Sequence, residues 1–264
     1  MEILLYGVVQ SASLLLVAIG FSLTYGISRL PNFAHGALYV FTGYLAWVLM
    51  HRLGLPFWAA ALLAVGAAAL VGALLAELVL KRIRGLEMSE VIATYAVGLV
   101  ILEGLRWFGL RGTTYALPVF VEGTVHVFGV PLDAQRIAVV VLAGAVVGAL
   151  WLFTRHTRTG LALRGAAQDE RAAMTVGIDP DRTATLAVSL GAALAGVAAI
   201  ALLPLGSIVV QEGYKVLIYA LAVCVVGGLG SWAGTVLAAL LLGFFQVLTV
   251  PQYRMVVMLL AIVA

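Results

Sequence analysis

Residues 57–80 read FWAAALLAVGAAALVGALLAELVL, with Glu77 the one charged side chain in the stretch. A helix needs about 20 apolar residues to cross a bilayer. This run meets that length and is too long for a strand, so it reads as a transmembrane helix. Comparable apolar runs lie on both sides of it, at 4–27, 33–50, 91–110, 137–154, 183–203, 215–230 and 235–250. Eight runs in 264 residues predict an all-α, polytopic transmembrane helix bundle forming one domain over residues 1–264. The runs are too long, and too lacking in period-two alternation, for a membrane β-barrel. A ninth run starts near Met255 and stops at Ala264 without a polar flank, so it reads as a span cut short.

Composition agrees. The chain is 64% hydrophobic and 10% charged, whereas soluble domains carry about 25% charged residues. That excludes a soluble enzyme or a nucleic-acid binder. The net charge of +3 comes from basic residues in short loops, the pattern of the positive-inside rule. Met1 and Glu2 open the chain without a basic n-region, so the first run reads as a retained span. Cys224 is the only cysteine, so no intrachain disulfide can form.

With the N-terminus outside, the inner loops hold Arg29, Lys81, Arg82, Arg84, Arg155, Arg158, Arg164, Arg171 and Arg182. The outer side holds Arg52, Arg106, Arg111, Arg136, Lys215 and Arg254. The dense clusters around residues 81–84 and 155–182 fall on one side, which is read as cytoplasmic. Small residues inside spans predict close helix packing: Gly144 with Gly148 on the fifth run, and Ala192 with Gly196 on the sixth.

Three segments stand out. The first is the inner loop 155–182. Thr159 can cap a helix start and Gly177 can end one, which predicts a helix of about four turns between them. On it Arg164, Gln168, Arg171 and Thr175 share a face, opposite Leu163, Ala166, Ala167, Ala173 and Met174, with Glu170 among the latter. Such a helix either anchors the loop at the membrane surface or docks a cytosolic partner. The second is Leu30-Pro31-Asn32-Phe33-Ala34-His35-Gly36. Asn32 and His35 are expected to point the same way, one helical turn apart. The segment is either a surface turn or a broken helix inserted toward the bundle centre, where it would line a cavity. The third is Gly227-Gly228-Leu229-Gly230-Ser231-Trp232-Ala233-Gly234. It reads as a cytoplasmic hairpin turn anchored by Trp232, or as a cavity-lining hinge.

The ionisable residues inside runs come in pairs. Glu77 precedes Lys81 by four residues and Glu103 precedes Arg106 by three, so both read as structural pairs. No Asp lies within a span, which counts against an ion-coupled secondary carrier. There is no HExxH, GxSxG or Walker A sequence, and the four histidines are scattered, which counts against an intramembrane enzyme. Active transport would need its energy from another chain.

Three motifs carry a resemblance. One is Tyr25-Gly26 followed by Asn32-Phe33-Ala34-His35-Gly36 and Gly43-Tyr44. The second is Thr159-Gly160 through Ala162-Leu163-Arg164, Asp169, Ala172-Ala173 and Gly177-Ile178. The third is Gly227-Gly228-Leu229-Gly230-Ser231 with Gly234. In order and spacing they resemble the LivH-type permease subunits of branched-chain amino-acid ABC transporters. Pro31, Thr235 and Ala238 depart from the family's usual residues, and its Arg-Pro-Gly-Leu-like tail is absent. The resemblance implies a permease half for branched-chain or related amino acids in a bacterial or archaeal cytoplasmic membrane. Relatives of the family move urea, amides or other amino acids. It implies a second permease subunit, two cytosolic ATPase subunits that use ATP, and an external substrate-binding protein, with no cofactor bound by this chain. It implies coupling to the ATPase through Arg164, Gln168, Asp169, Arg171, Ala172, Ala173 and Gly177. It implies a pathway or gating role for Asn32, His35, Gly36, Gly227, Gly228 and Gly230.

Overall fold

The computed structural model describes every residue except 30, 111–114, 250–253 and 264, and leaves the side chain of Glu87 aside. Leu30, Arg111 and Ala264 therefore lie outside the described residues. Each apolar run folds as one helix, with ends shifted by five residues or fewer. In chain order the helices are α1 (Glu2–Ser28), α2 (His35–Leu53), α3 (Phe57–Leu78), α4 (Glu87–Phe108), α5 (Ala134–His156), α6 (Arg158–Gln168), α7 (Glu170–Thr175), α8 (Pro180–Leu202), α9 (Val210–Gly227) and α10 (Trp232–Leu248). Of these, α6 and α7 belong to the inner loop and the other eight to the runs. The ninth run forms α11 (Arg254–Val263). Among the described residues, 6 helices are long and apolar enough to cross a membrane: α1, α3, α4, α5, α8 and α9. The eight runs do not all qualify, for two reasons. Helix α2 carries His35, Thr42, His51 and Arg52 within 19 residues, and α10 has only 17.

Local chemistry sets the helix ends. Pro56 precedes α3, and Pro180 opens α8 where its missing N–H costs nothing. The side chains of Asp133, Thr157, Asp169, Asp179 and Ser231 each accept a backbone N–H of the helix they start. Two short strands, β1 (Thr124–Val127) and β2 (Val130–Asp133), form an antiparallel hairpin before α5. Its two-residue turn holds Phe128 at φ 51° and Gly129 at φ 79°, as the right-handed strand twist prefers. The pattern of apolar runs does not reveal this hairpin.

Helices α1 and α8 form the centre. Helix α1 packs on α10, α8, α9, α5 and the loop helix α6, while α8 packs on α3, α1 and α2. Leu14, Leu16, Ala18 and Phe21 of α1 are buried, as are Ala192, Ala195, Ala198 and Ala199 of α8. With no hydrophobic drive between helices in lipid, small residues let backbones approach. Gly20 and Gly191 meet in this way, and Ala192 packs against Gly72 of α3. Gly196 packs against Thr42 and Val65, so the Ala192–Gly196 expectation holds. The expectation for Gly144 and Gly148 does not. Neither has a neighbour within 4 Å where a side chain would stand. Helix α5 turns Val139, Ala143, Leu150 and Thr154 inward instead, so the glycine pair faces out of this chain.

The basic clusters gather at one end, as their spacing predicts. Arg29, Lys81, Arg84 and the loop around Glu170 and Asp181 meet there. The paired charges inside runs are also present: Glu77–Lys81 at 3.3 Å and Glu103–Arg106 at 3.0 Å.

Candidate coupling face and re-entrant segment

The chain leaves α1 at Arg29, which takes a left-handed conformation at φ 61°. It does not stay at the basic end. His35 Nε2 bonds the carbonyl of Val17 at 2.9 Å. Val17 lies eleven residues before the end of α1, which is about 16 Å along a helix. Two other contacts confirm the depth. Ala34 lies against Gly98 of α4, and Gly36 against the carbonyl of Gly213 near the start of α9. Asn32, Phe33 and Ala34 therefore lie back inside the bundle, and α2 begins well inside it. The segment is re-entrant, not a surface turn.

Non-helical backbone at such depth must be satisfied by protein. Asn32 Oδ1 accepts the Ala34 N–H at 3.0 Å, its carbonyl accepts the His35 N–H at 3.2 Å, and Thr94 Oγ1 accepts the Phe33 N–H at 3.3 Å. Asn32 and His35 do not share a helical face, because α2 starts only at His35. Asn32 lines a small void with Thr24, Pro31, Glu90 and Thr94. His35 stands on Phe21, edge to face at 5.7 Å between ring centres, and beside Gly20. At 4% and 1% exposure, both are sealed inside protein, not set along an open water-filled cavity. Gly36 is fixed by sterics, since any side chain there would run into the Gly213 carbonyl.

At the basic end, the loop after α5 is not one four-turn helix. Helices α6 and α7 divide it, broken at Asp169, whose φ of −150° and ψ of 106° are extended. Asp169 accepts the Ala172 N–H at 3.0 Å and so starts the second helix. An aspartate offers this alternative to continued helix, which a count of faces overlooks. Thr157, not Thr159, starts α6, accepting the Gly160 N–H at 3.0 Å. Gly177 ends α7 as expected, at φ 84°, with its N–H on the Met174 carbonyl. Leu163, Ala166 and Ala173 are buried, while Arg164, Gln168, Arg171, Ala172, Thr175 and Gly177 are exposed. Met174, expected on the packed side, is exposed as well.

Charged groups lock this loop to the spans. Arg84, in the α3–α4 connection, bonds Glu170 at 2.7 Å and also Asp181. Lys81 stands 4.0 Å from Asp181, and Thr185 donates to Glu77 at 2.8 Å. Arg29 donates to the Ala167 carbonyl at 2.6 Å, at the C-terminal end of α6 where cations are favoured. No composition rule flags this network; only the charge spacing 84/170/181 hints at it.

The glycine-rich turn between α9 and α10 sits at the same end. Gly228 and Gly230 take φ of 83° and 81°, which side chains resist. Gly227 lies against the Gly234 backbone, and Gly230 against Gly26 of α1. Thr235, one of the departures from the resembled family, donates to the Ser231 carbonyl at 2.8 Å, and its hydroxyl also pairs with the Ser22 hydroxyl of α1 at 2.8 Å. The geometry is that of a hairpin turn. The turn also borders a cavity of about 460 Å³ with Tyr25, Arg29, Trp151, Arg155 and Arg164.

Comparison with known proteins agrees with this architecture. The family described as "branched-chain amino acid transport system / permease component" matches residues 3–264. The high-affinity branched-chain amino acid transport system permease protein BraD of Pseudomonas aeruginosa is 30% identical over 255 residues, covering 91% of this chain and 83% of that protein. The LivH permease protein of Escherichia coli K12 is 27% identical over 259 residues, covering 92% of this chain and 83% of its own. The LivM permease protein of the same organism is 28% identical over 252 residues, covering 86% of this chain and 59% of its own. No solved structure matches. A multi-pass helical bundle whose family pattern runs from residue 3 to residue 264 belongs to the branched-chain amino acid transport permease components.

Proposed function

We propose that the chain is one membrane-spanning half of an ATP-driven importer that carries leucine, isoleucine or valine across a bacterial or archaeal cytoplasmic membrane. A second permease subunit completes the pathway. Two cytosolic ATPase subunits bind and hydrolyse ATP, and an external binding protein delivers the amino acid. This chain binds no cofactor of its own, in line with its lack of a phosphate-binding loop sequence.

The observation that carries the reading is the anchoring of the α6–α7 loop. Its outer surface presents Arg164, Gln168, Asp169, Arg171, Ala172 and Gly177, with Asp169 starting α7 and Ala173 buried beneath. Through Arg84 and Arg29 it is tied to the α3–α4 connection, to α8 and to α1. A push on the loop therefore reaches the two most buried helices. Helix shifts of this kind rock a packed bundle between discrete arrangements. The solid core of α1 and α8 favours a path along the face shared with the second permease. The re-entrant segment at Asn32, His35 and Gly36 and the turn at Gly227, Gly228 and Gly230 are the backbone breaks where such rocking is absorbed.

The test is uptake into proteoliposomes holding the four kinds of subunit. Leucine should accumulate only with ATP inside the ATPase compartment and with binding protein outside. Accumulation driven by a sodium or proton gradient without ATP would overturn the reading.

A further inference from the structure

The basic-end cavity asks for a ligand that the transport reading leaves out. It lies between α1, α5, α6 and the start of α10, with a volume of about 460 Å³. Three guanidinium groups stand around it, from Arg29, Arg155 and Arg164, and among the described residues no carboxylate lines it. Among the described residues, neither Arg155 nor Arg164 has an acidic partner within 4.0 Å. Arg29 uses one nitrogen on the Ala167 carbonyl, and a guanidinium has further donors to give. Trp151 and Trp232 line it as well, with Tyr25, Thr154 and Gln168 as further polar groups. Arg155 lies over the Trp151 ring at 5.1 Å, which holds it in place while leaving its N–H fork free.

Two tryptophans among basic residues mark the level of the membrane interface. The floor is apolar, with Leu23, Ile27 and Leu163, and Trp151 is half exposed on the outward side of α5. An anion that enters there must be compatible with lipid next to it. Guanidinium forks match phosphate oxygens in pairs, and basic pockets between spans recognise anionic headgroups.

We propose that this cavity binds the phosphate of an anionic glycerophospholipid, with Arg155 and Arg164 as its main donors, Arg29 as the third, and the acyl chains running along Trp151 and α5. The bound lipid braces α6 against α1 and α5 where their own charges leave the space unfilled. Its recognition chemistry is that of a phosphate, so a free phosphate ion is the competing source.

Native mass spectrometry of the purified full chain, supplied with phosphatidylglycerol, phosphatidylcholine or inorganic phosphate, tests this. Phosphatidylglycerol should be retained at least about 5-fold more than phosphatidylcholine, because both carry the phosphate but the choline cation of the latter is repelled by the guanidinium groups. The R155Q/R164Q double variant should lose that preference, and R155K/R164K should keep most of it while melting at the same temperature. Equal retention of the two lipids by the unaltered chain would overturn the proposal. So would displacement of phosphatidylglycerol by millimolar inorganic phosphate, which would mark a soluble-anion site. A double variant that keeps its lipid preference but no longer co-purifies with the ATPase would also overturn it, assigning the cavity to an acidic partner segment.

Discussion

The re-entrant segment and the α6–α7 loop are both breaks in helical structure, yet they solve opposite problems. Residues 32–36 lie inside the bundle, so the backbone groups there need protein partners. Asn32 and Thr94 supply them without a single charge, and Gly36 lets α2 close on the Gly213 backbone. The α6–α7 loop stands at the exposed basic end, where water can satisfy backbone. Its polar groups are free for long-range links, and Arg84, Glu170 and Asp181 make them. The lesson is that burial decides what a polar residue can be used for. Inside, it repairs the chain locally; outside, it ties distant elements together.

Four substitutions bear on that contrast, from the largest expected effect to the smallest. Gly36→Val should be the most damaging, because its side chain meets the Gly213 carbonyl and neither backbone can yield cheaply. Overpacking a tight interface costs about 1–3 kcal/mol or more. Little monodisperse protein should be recovered from membranes by size-exclusion chromatography. Normal yield would place α2 away from α9.

Arg84→Glu should leave insertion and melting nearly unchanged, since exposed pairs contribute about 0–1 kcal/mol each. Transport should nonetheless fall severalfold, because a carboxylate at position 84 would repel Glu170 and Asp181 and free the loop. Adding Glu170→Arg should recover part of the loss. Equal uptake in the single variant would show that the network carries no thrust.

His35→Ala removes the Val17 bond and the ring on Phe21. Hydrogen bonds between membrane helices are worth about 0.6 kcal/mol on average, and the vacated space adds to this. A drop of a few degrees in melting temperature is expected. A cysteine at position 35 should stay unmodified by water-soluble thiol reagents in the resting protein. Rapid labelling would mean that the segment faces water after all.

Gly148→Leu should do least to the isolated chain, because nothing stands near Gly148. The change in stability should stay within about 0.5 kcal/mol, read by thermal unfolding of the purified chain. A large loss would place α5 against a neighbour within the same chain.

Much of the fold was legible. The length of the apolar runs fixed the helices, and the basic clusters marked one end, because a bilayer leaves few other ways to arrange such a chain. The depth of His35 was not legible. A period of 3.6 shows which residues share a face only once the helix start is known, and α2 starts three residues after Asn32. The break at Asp169 was hidden for the same reason: an aspartate that starts a second helix looks, in sequence, like one inside the first. The spacing of Gly144 and Gly148 predicts a packing that this chain does not make, because spacing does not say whether the face is turned toward the same chain.

The central claim is that the α6–α7 loop receives the ATPase. A photo-crosslinking amino acid at position 171, in the fully assembled transporter, tests it most directly, with the same probe at position 148 as the comparison. The account predicts an adduct with an ATPase subunit from position 171, altered in yield by ATP, and none from position 148. Adducts from position 171 only to lipid or to this chain's own helices would contradict it.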